Sequence, residues 1–232
     1  MNSPVVIALD YPNQSSVLDL VSRLSPDLCR LKVGKELFTR CGPALVETLQ
    51  SRGFDVFLDL KYHDIPNTVA GAVKAAAQLG VWMVNVHAGG GRRMMEAAAD
   101  ALQGFQQKPL LIGVTVLTSM SAEDLLELGY TESVEQRVSR LAALAQDSGL
   151  EGVVCSAQEA QALRRERGAS FTLVTPGIRM SGESSGDQRR VVTPAQAISY
   201  GSDYLVIGRS ITGAANPLKA LEQVHKELEL EE

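Results

Sequence analysis

The chain is poor in cysteine and histidine, and each shortage removes a class of function. The cysteines, Cys29, Cys41 and Cys155, are odd in number and irregular in spacing. They suggest neither a disulfide framework nor a zinc site, and a reducing cytoplasm suits them best. His63, His87 and His225 are scattered, without metal-ligand spacing. No apolar run approaches the length of a membrane span. The opening Met1-Asn2-Ser3-Pro4 has no basic n-region and no long apolar h-region, so no signal peptide is expected. Positive charge is not in excess. The formal net charge of -5 argues against a nucleic-acid or anionic-membrane binder, while leaving room for a local basic pocket. No Ser-His-Asp motif or nucleophile elbow is apparent.

What is present is a regular alternation. Apolar strand-like runs cover 5–10, 28–34, 56–61, 81–87, 110–117, 152–155, 171–175 and 204–207. Helical patterns follow them over 15–24, 43–52, 66–79, 92–102, 122–128 with 133–147, 157–167, 193–200 and 216–228. Thr193 is placed to cap the 193–200 helix, with Pro194 at its first helical position. Strands alternating with helices argue for a parallel sheet. Eight such units in 232 residues, with no linker-like shift in composition, predict an α/β fold. The expected form is a single-domain (β/α)8 TIM barrel spanning 1–232, with a doubly wound open sheet as the alternative. The acidic end, 227–232, reads as solvated and frayed.

The most informative stretch is Phe57-Leu58-Asp59-Leu60-Lys61-Tyr62-His63-Asp64-Ile65-Pro66-Asn67-Thr68. It starts as a strand, so Asp59 and Lys61 share one face while Val56, Leu58 and Leu60 take the other. Asp64 follows past the strand end, and Pro66 suits the first turn of a helix. Charges at the carboxyl end of a buried strand are costly unless they pair or do chemistry. A purely structural ion pair is the alternative reading.

In a barrel, chemistry sits at the carboxyl ends of the strands. The first strand delivers Asp10 there and the second Lys32. The third delivers Asp59 and Lys61, and Asp64 comes on the loop after it. The fourth brings Asn85 and His87, the fifth Thr118 and Ser119, the seventh the run Thr175-Pro176-Gly177-Ile178-Arg179, and the eighth Gly208-Arg209-Ser210. Two lysines and three carboxylates converging on one mouth suggest a polar substrate. Loops after the last two strands often hold phosphate, and Gly208 and Arg209 suit that use. The long polar loop over 180–190 reads as a lid. The run His87-Ala88-Gly89-Gly90-Gly91-Arg92-Arg93 reads as a glycine-permitted turn into a helix rather than a phosphate cradle. Trp82, Met94 and Met95 read as core or interface filler. An inward Arg30 sits uneasily in a packed barrel and is expected near its lower rim.

Several blocks, taken together, carry a resemblance: Ile7-Ala8-Leu9-Asp10, Leu31-Lys32-Val33-Gly34, the 59–68 run, Val86-His87-Ala88, Leu117-Thr118-Ser119, the 175–179 run and Ile207-Gly208-Arg209-Ser210. In this order they resemble the orotidine 5'-phosphate decarboxylase family in its bacterial form, along nearly the whole chain. The resemblance implies a homodimeric barrel without metal or organic cofactor. It implies conversion of orotidine 5'-phosphate to UMP and carbon dioxide, the last step of de novo UMP synthesis. Lys32, Asp59, Lys61 and Asp64 would form a charged network, with Lys61 protonating C6 and Asp59 beside the substrate carboxylate. Asp64 and Thr68 would enter from the partner subunit, Thr68 reaching the ribose. Asp10 and Lys32 would hold ribose hydroxyls, and Thr118 and Ser119 would sit at the pyrimidine. Arg179, Gln188, Gly208 and Arg209 would serve the phosphate end, with Gln188 on the lid bridging base and phosphate, and Pro176 would also bind substrate.

Three rival readings stand beside it. Related barrels that use a metal-bound enediolate share the Asp-x-Lys-x-x-Asp core, but carry an acidic ligand where this chain has Lys32. A Schiff-base aldolase needs a neutral lysine, which the flanking carboxylates disfavour at Lys61. A catalytically dead nucleotide sensor would not need the complete charged set.

Overall fold

A computed structural model describes residues 3–180 and 192–229. The chain alternates as β1 (Val5–Ala8), α1 (Gln14–Val21), β2 (Arg30–Gly34), α2 (Lys35–Cys41), α3 (Pro43–Ser51), β3 (Val56–Tyr62), α4 (Pro66–Gln78), β4 (Met83–His87) and α5 (Arg92–Asp100). It continues as β5 (Leu110–Val114), α6 (Ala122–Glu127), α7 (Val134–Asp147), β6 (Gly152–Val154), α8 (Ala157–Arg167), β7 (Thr172–Thr175), α9 (Pro194–Ser199), β8 (Tyr204–Ile207), α10 (Arg209–Thr212) and α11 (Pro217–Glu229). The eight strands pair in sequence order, all parallel, and β1 closes on β8. The closed barrel is the expected fold, and the open-sheet alternative is set aside.

The core has two parts. Outward strand residues such as Ile7, Leu31, Val33, Val84 and Leu205 pack under the helices with Val17, Leu45, Leu49, Val73 and Leu221. Each fully buried side chain of this kind stabilises the fold by about 1.5–3 kcal/mol. Inside the barrel, Val6, Ala8, Phe57, Met83, Ile112, Val174 and Val206 form a separate apolar plug. Strands buried on both faces read as continuous apolar runs, which is why they were visible in the sequence.

Arg30 lies at the start of β2, beside this plug. Its guanidinium stands 4.4 Å from the centre of the Trp82 ring and 5.3 Å from that of Tyr204. It also pairs with Asp55 at 3.2 Å and donates to the Ser3 carbonyl. The arginine is tolerated in the barrel because its charge is paired with Asp55 and the Ser3 carbonyl and lies against two aromatic rings, and Trp82 is its platform as well as filler.

Some boundaries differ from the sequence reading. β1 stops at Ala8 and β5 at Val114, so Asp10, Thr118 and Ser119 stand on loops beyond their strands. α2 was not expected. It is seven residues long, too short to show a clear period, and Gly42 at φ 64° separates it from α3. The 88–90 stretch forms a single 3-10 turn into α5, with Gly91 at φ 87°. Met94 and Met95 are buried in the core. Thr193 caps α9 in a reciprocal pair with Gln196, behind Pro194. The acidic end is helical through Glu229. The expected lid over 181–190 lies outside the described residues.

Candidate active site

The third strand supplies the centre of the site. Asp59 points into the barrel and is 8% exposed. Lys61 follows on the same face with φ 51°, the one non-glycine with positive φ among the described residues. An L-residue there costs about 1–2 kcal/mol, so its neighbours must hold it. The cause lies in the pairing with β4. Leu58 pairs with Val84, but Tyr62 pairs with Val86, so β3 advances further than its neighbour and bulges between them.

The bulge leaves the Lys61 N–H off the ladder, and it donates to Asn85 Oδ1 at 2.8 Å. The Asn85 amide in turn donates to Asp59 Oδ1 at 2.7 Å. Lys61 Nζ reaches the same oxygen at 2.6 Å. Lys32 Nζ lies 3.2 Å from Asp59 Oδ2 and 3.7 Å from Asp10 Oδ1. A line of alternating charge, Asp10, Lys32, Asp59, Lys61, therefore crosses the floor of the mouth. Burial by itself would raise the Asp59 carboxyl. The Lys32 and Lys61 charges, with the hydrogen bonds from Lys61 and Asn85, outweigh it and hold the group below its ordinary 3.8.

Above this floor is a cavity of about 680 Å3 at the carboxyl ends of the strands, within the range that takes a small-molecule ligand. Of the thirteen residues expected at the site, ten line it: Asp10, Lys32, Asp59, Lys61, Thr118, Ser119, Pro176, Arg179, Gly208 and Arg209. The charged four form its floor. Val114, Val116, Leu117 and Val154 give an apolar wall, and Cys155 lies beside them. A Cβ at Gly208 would meet only Ala8 at 3.8 Å and Asp10 at 3.9 Å, ordinary contacts. The protein's own packing therefore does not require glycine there. What glycine keeps open is the backbone's approach to the cavity.

The other three expected residues are elsewhere. Asp64, on the turn from β3 into α4, and Thr68, in the first turn of α4, are exposed on either side of Ile65, which is 66% exposed. Asp64 accepts the Ile65 N–H at 2.6 Å and makes no ion pair with another described residue. Gln188 lies outside the described residues.

Two features were not drawn from the sequence. Asn85 was read only as a polar residue delivered by the fourth strand, yet it joins Asp59 to Lys61. The available signal was an amide in the otherwise apolar run Met83-Val84-Asn85-Val86. His63 and His87, read as scattered, have ring centres 5.6 Å apart. Burial, then the nearby His63, Lys35 and Lys61, pushes His87 from 6.5 down to about 4, against the pull of Asp59.

The family model described as orotidine 5'-phosphate decarboxylase / HUMPS matches residues 3–224. The chain belongs to that family. It is 63% identical over 225 residues to the orotidine 5'-phosphate decarboxylase of Hahella chejuensis, covering 97% of each chain. It is 62% identical over 231 residues to that of Saccharophagus degradans, covering 98% of this chain and 97% of the other. The crystal structure of orotidine 5'-phosphate decarboxylase from Lactobacillus acidophilus matches with a TM-score of 0.86 at 39% identity, over 98% of this chain and 99% of that one. Six of the seven sequence blocks that carry the resemblance to the decarboxylase family supply residues to this cavity, among them Asp10, Lys32, Lys61, Thr118, Arg179 and Arg209.

Proposed function

We propose that the protein decarboxylates orotidine 5'-phosphate to UMP and carbon dioxide, the last step of de novo pyrimidine-nucleotide synthesis, without a metal or organic cofactor. The observation that carries this reading is the Lys32–Asp59–Lys61 array on the cavity floor, in a chain of this family. Loss of carbon dioxide from C6 leaves negative charge on a ring carbon. An ammonium fixed beside that carbon stabilises the charge as it develops, and then delivers a proton. Lys61 has that role in our reading. Asp59 lies next to the substrate carboxylate, where repulsion before reaction is relieved as carbon dioxide leaves. Lys32 pairs with the far oxygen of Asp59 and, with Asp10, holds ribose hydroxyls. Thr118 and Ser119 meet the pyrimidine. Arg179, Gly208 and Arg209 receive the phosphate, Pro176 also binds substrate, and Gln188 bridges base and phosphate. Phosphate binding is remote from the bond that breaks, so its energy can orient the base and close the site.

The same reading makes the working unit a homodimer. A solvated Asp64, held by its neighbour's N–H, has no role in its own chain's array. Supplied by a second copy, it would balance two ammoniums that now share one buried carboxylate, and Thr68 would reach the partner's ribose. The free thiols of Cys29, Cys41 and Cys155 suit the reducing cytoplasm in which we place the enzyme.

Within the family the competing chemistry is metal-assisted reaction of a sugar phosphate. Lys32 speaks against it, because an ammonium 3.2 Å from Asp59 repels a divalent cation at that carboxylate. One assay separates the two. Purified protein is given orotidine 5'-phosphate in the presence of EDTA, and ultraviolet absorbance is followed. Conversion to UMP is expected. No conversion, with turnover of a sugar phosphate on adding magnesium, would overturn the proposal.

A further inference from the structure

We infer that Asn85 is a positioning residue for the proposed decarboxylation, clamping the Lys61 backbone and the Asp59 carboxylate into one rigid unit across the β3–β4 seam. The inference rests on the functional reading above and deepens it.

Asn85 is fully buried and does not line the cavity. It faces the barrel interior, where Met83 and Ile112 are apolar. A buried amide among such neighbours is destabilising unless its polar atoms are bonded. Here they go to the two charged residues of the neighbouring strand. Oδ1 accepts the Lys61 N–H that the bulge has removed from the ladder, at 2.8 Å. Nδ2 donates to Asp59 Oδ1 at 2.7 Å, the oxygen that also takes Lys61 Nζ at 2.6 Å. One side chain thus holds Lys61 in its left-handed conformation at φ 51° and fixes the rotation of the carboxylate that aims its ammonium. Misplacement of a catalytic group by about 1 Å is enough to cost about 100-fold in rate. Main-chain bonding alone would satisfy an amide equally well, and would not link these two residues.

Without Asn85, the Lys61 N–H loses its acceptor and the strand can relax toward ordinary φ. Asp59 loses a donor, but keeps Lys32 and Lys61 before it, with Asp10 behind Lys32 and His87, His63 and Lys35 beyond Lys61. None of the described residues assigned to ribose or phosphate bonds to Asn85 itself. The loss therefore belongs in the chemical step and not in binding.

The test compares wild type with Asn85→Ala and the near-isosteric Asn85→Asp. For Asn85→Ala, kcat is expected to fall at least about 100-fold. Its KM and UMP affinity should stay within about threefold of wild type, since what is lost is the stabilisation by Lys61 of charge that develops only in the transition state. The acid limb of its pH-rate profile should move to higher pH. Asn85→Asp keeps an acceptor for the Lys61 N–H but sets a second carboxyl against Asp59. Its activity should rise as the pH is lowered and one proton is restored between them. A role confined to folding would lower Tm in both variants with kcat within about threefold. That result, or a loss found wholly in KM and UMP affinity, overturns the inference. Should Asn85→Ala fail to fold, the pH response of Asn85→Asp decides: a flat response overturns it. Should wild type itself fail to turn over orotidine 5'-phosphate, the functional reading falls. The clamp is then judged from the crystal structures of both variants, and an unchanged Lys61 φ and Lys61–Asp59 distance in them overturns it.

Discussion

Lys61 Nζ lies 2.6 Å from Oδ1 of Asp59, the residue two places before it on the same strand. With Lys32 at 3.2 Å from the other oxygen, one buried anion is shared by two cations. Asp10, 3.7 Å from Lys32, balances the line overall, and the Lys61 ammonium at its end faces a cavity about 680 Å3 in volume. Such a floor is suited to an anionic substrate whose reacting carbon becomes more negative as it reacts.

Removing the ammonium should remove the chemistry and leave the binding. Lys61→Ala is expected to lose at least about 10^4-fold in kcat, the upper range for a positioned proton donor, with charge stabilisation lost as well. UMP titrated calorimetrically should still bind with an affinity near that of wild type. Near-normal turnover by this variant would remove the role assigned to Lys61.

The exposed Asp64 provides a test of subunit sharing. Lys61→Ala and Asp64→Ala should each be nearly inactive alone. Mixed and allowed to exchange, they should recover about a quarter of wild-type activity, because half the dimers are mixed and each mixed dimer has one intact site. No recovery under conditions of proven exchange would place Asp64 outside the partner's site.

The pH dependence of stability has a defined sign. His87 binds its proton at about 4 in the folded chain against an ordinary 6.5. Between those values the unfolded chain holds more protons, so stability falls as the pH drops from 6.5 toward 4. Asp59, whose carboxyl is held below 3.8, keeps its contribution above that value and loses it only as the pH falls through the lower folded value. Thermal melts should show Tm declining across the first window, and His87→Asn should flatten that decline. An unaltered decline in the variant would assign it to other groups.

The barrel's opposite end should govern stability without governing catalysis. Arg30→Ala removes the stacking on Trp82 and Tyr204 and leaves the Ser3 carbonyl without this donor. Asp55 remains solvated, its side chain 56% exposed, so an unpaired buried charge is not left behind. A loss of about 2–3 kcal/mol in urea unfolding is expected, from the cavity and the lost hydrogen bond. kcat of the folded fraction should remain within about threefold of wild type.

Much of this was legible in the sequence because the strands are buried on both sides. Val5-Val6-Ile7-Ala8 and Tyr204-Leu205-Val206-Ile207 announce themselves as apolar runs, and the polar residues after them fall at the mouth by position alone. The seven-residue α2 did not announce itself, since two turns carry too few apolar positions to set a period. Arg30 could be recognised as awkward, but Trp82 and Tyr204 come from just before β4 and from the start of β8, and meet it only on closure. Asn85 was visible as a polar residue, yet its partners depend on the irregular register between β3 and β4. That irregularity follows from tertiary fit, and no turn residue in Leu58-Asp59-Leu60-Lys61-Tyr62 marks it.

That register also has a consequence for how the protein would fail. Asn85 meets Asp59 and Lys61 from the adjoining strand, and a slip of one residue between strands reverses the face of every side chain. A displaced β4 would carry the amide outward under α4 and α5 and set an apolar side chain against the charged pair. Mispaired or partly opened barrels would then be catalytically silent even while most of their helices persist. Turnover, more than helical content, is therefore the sensitive gauge of whether a refolded population has reached the right topology.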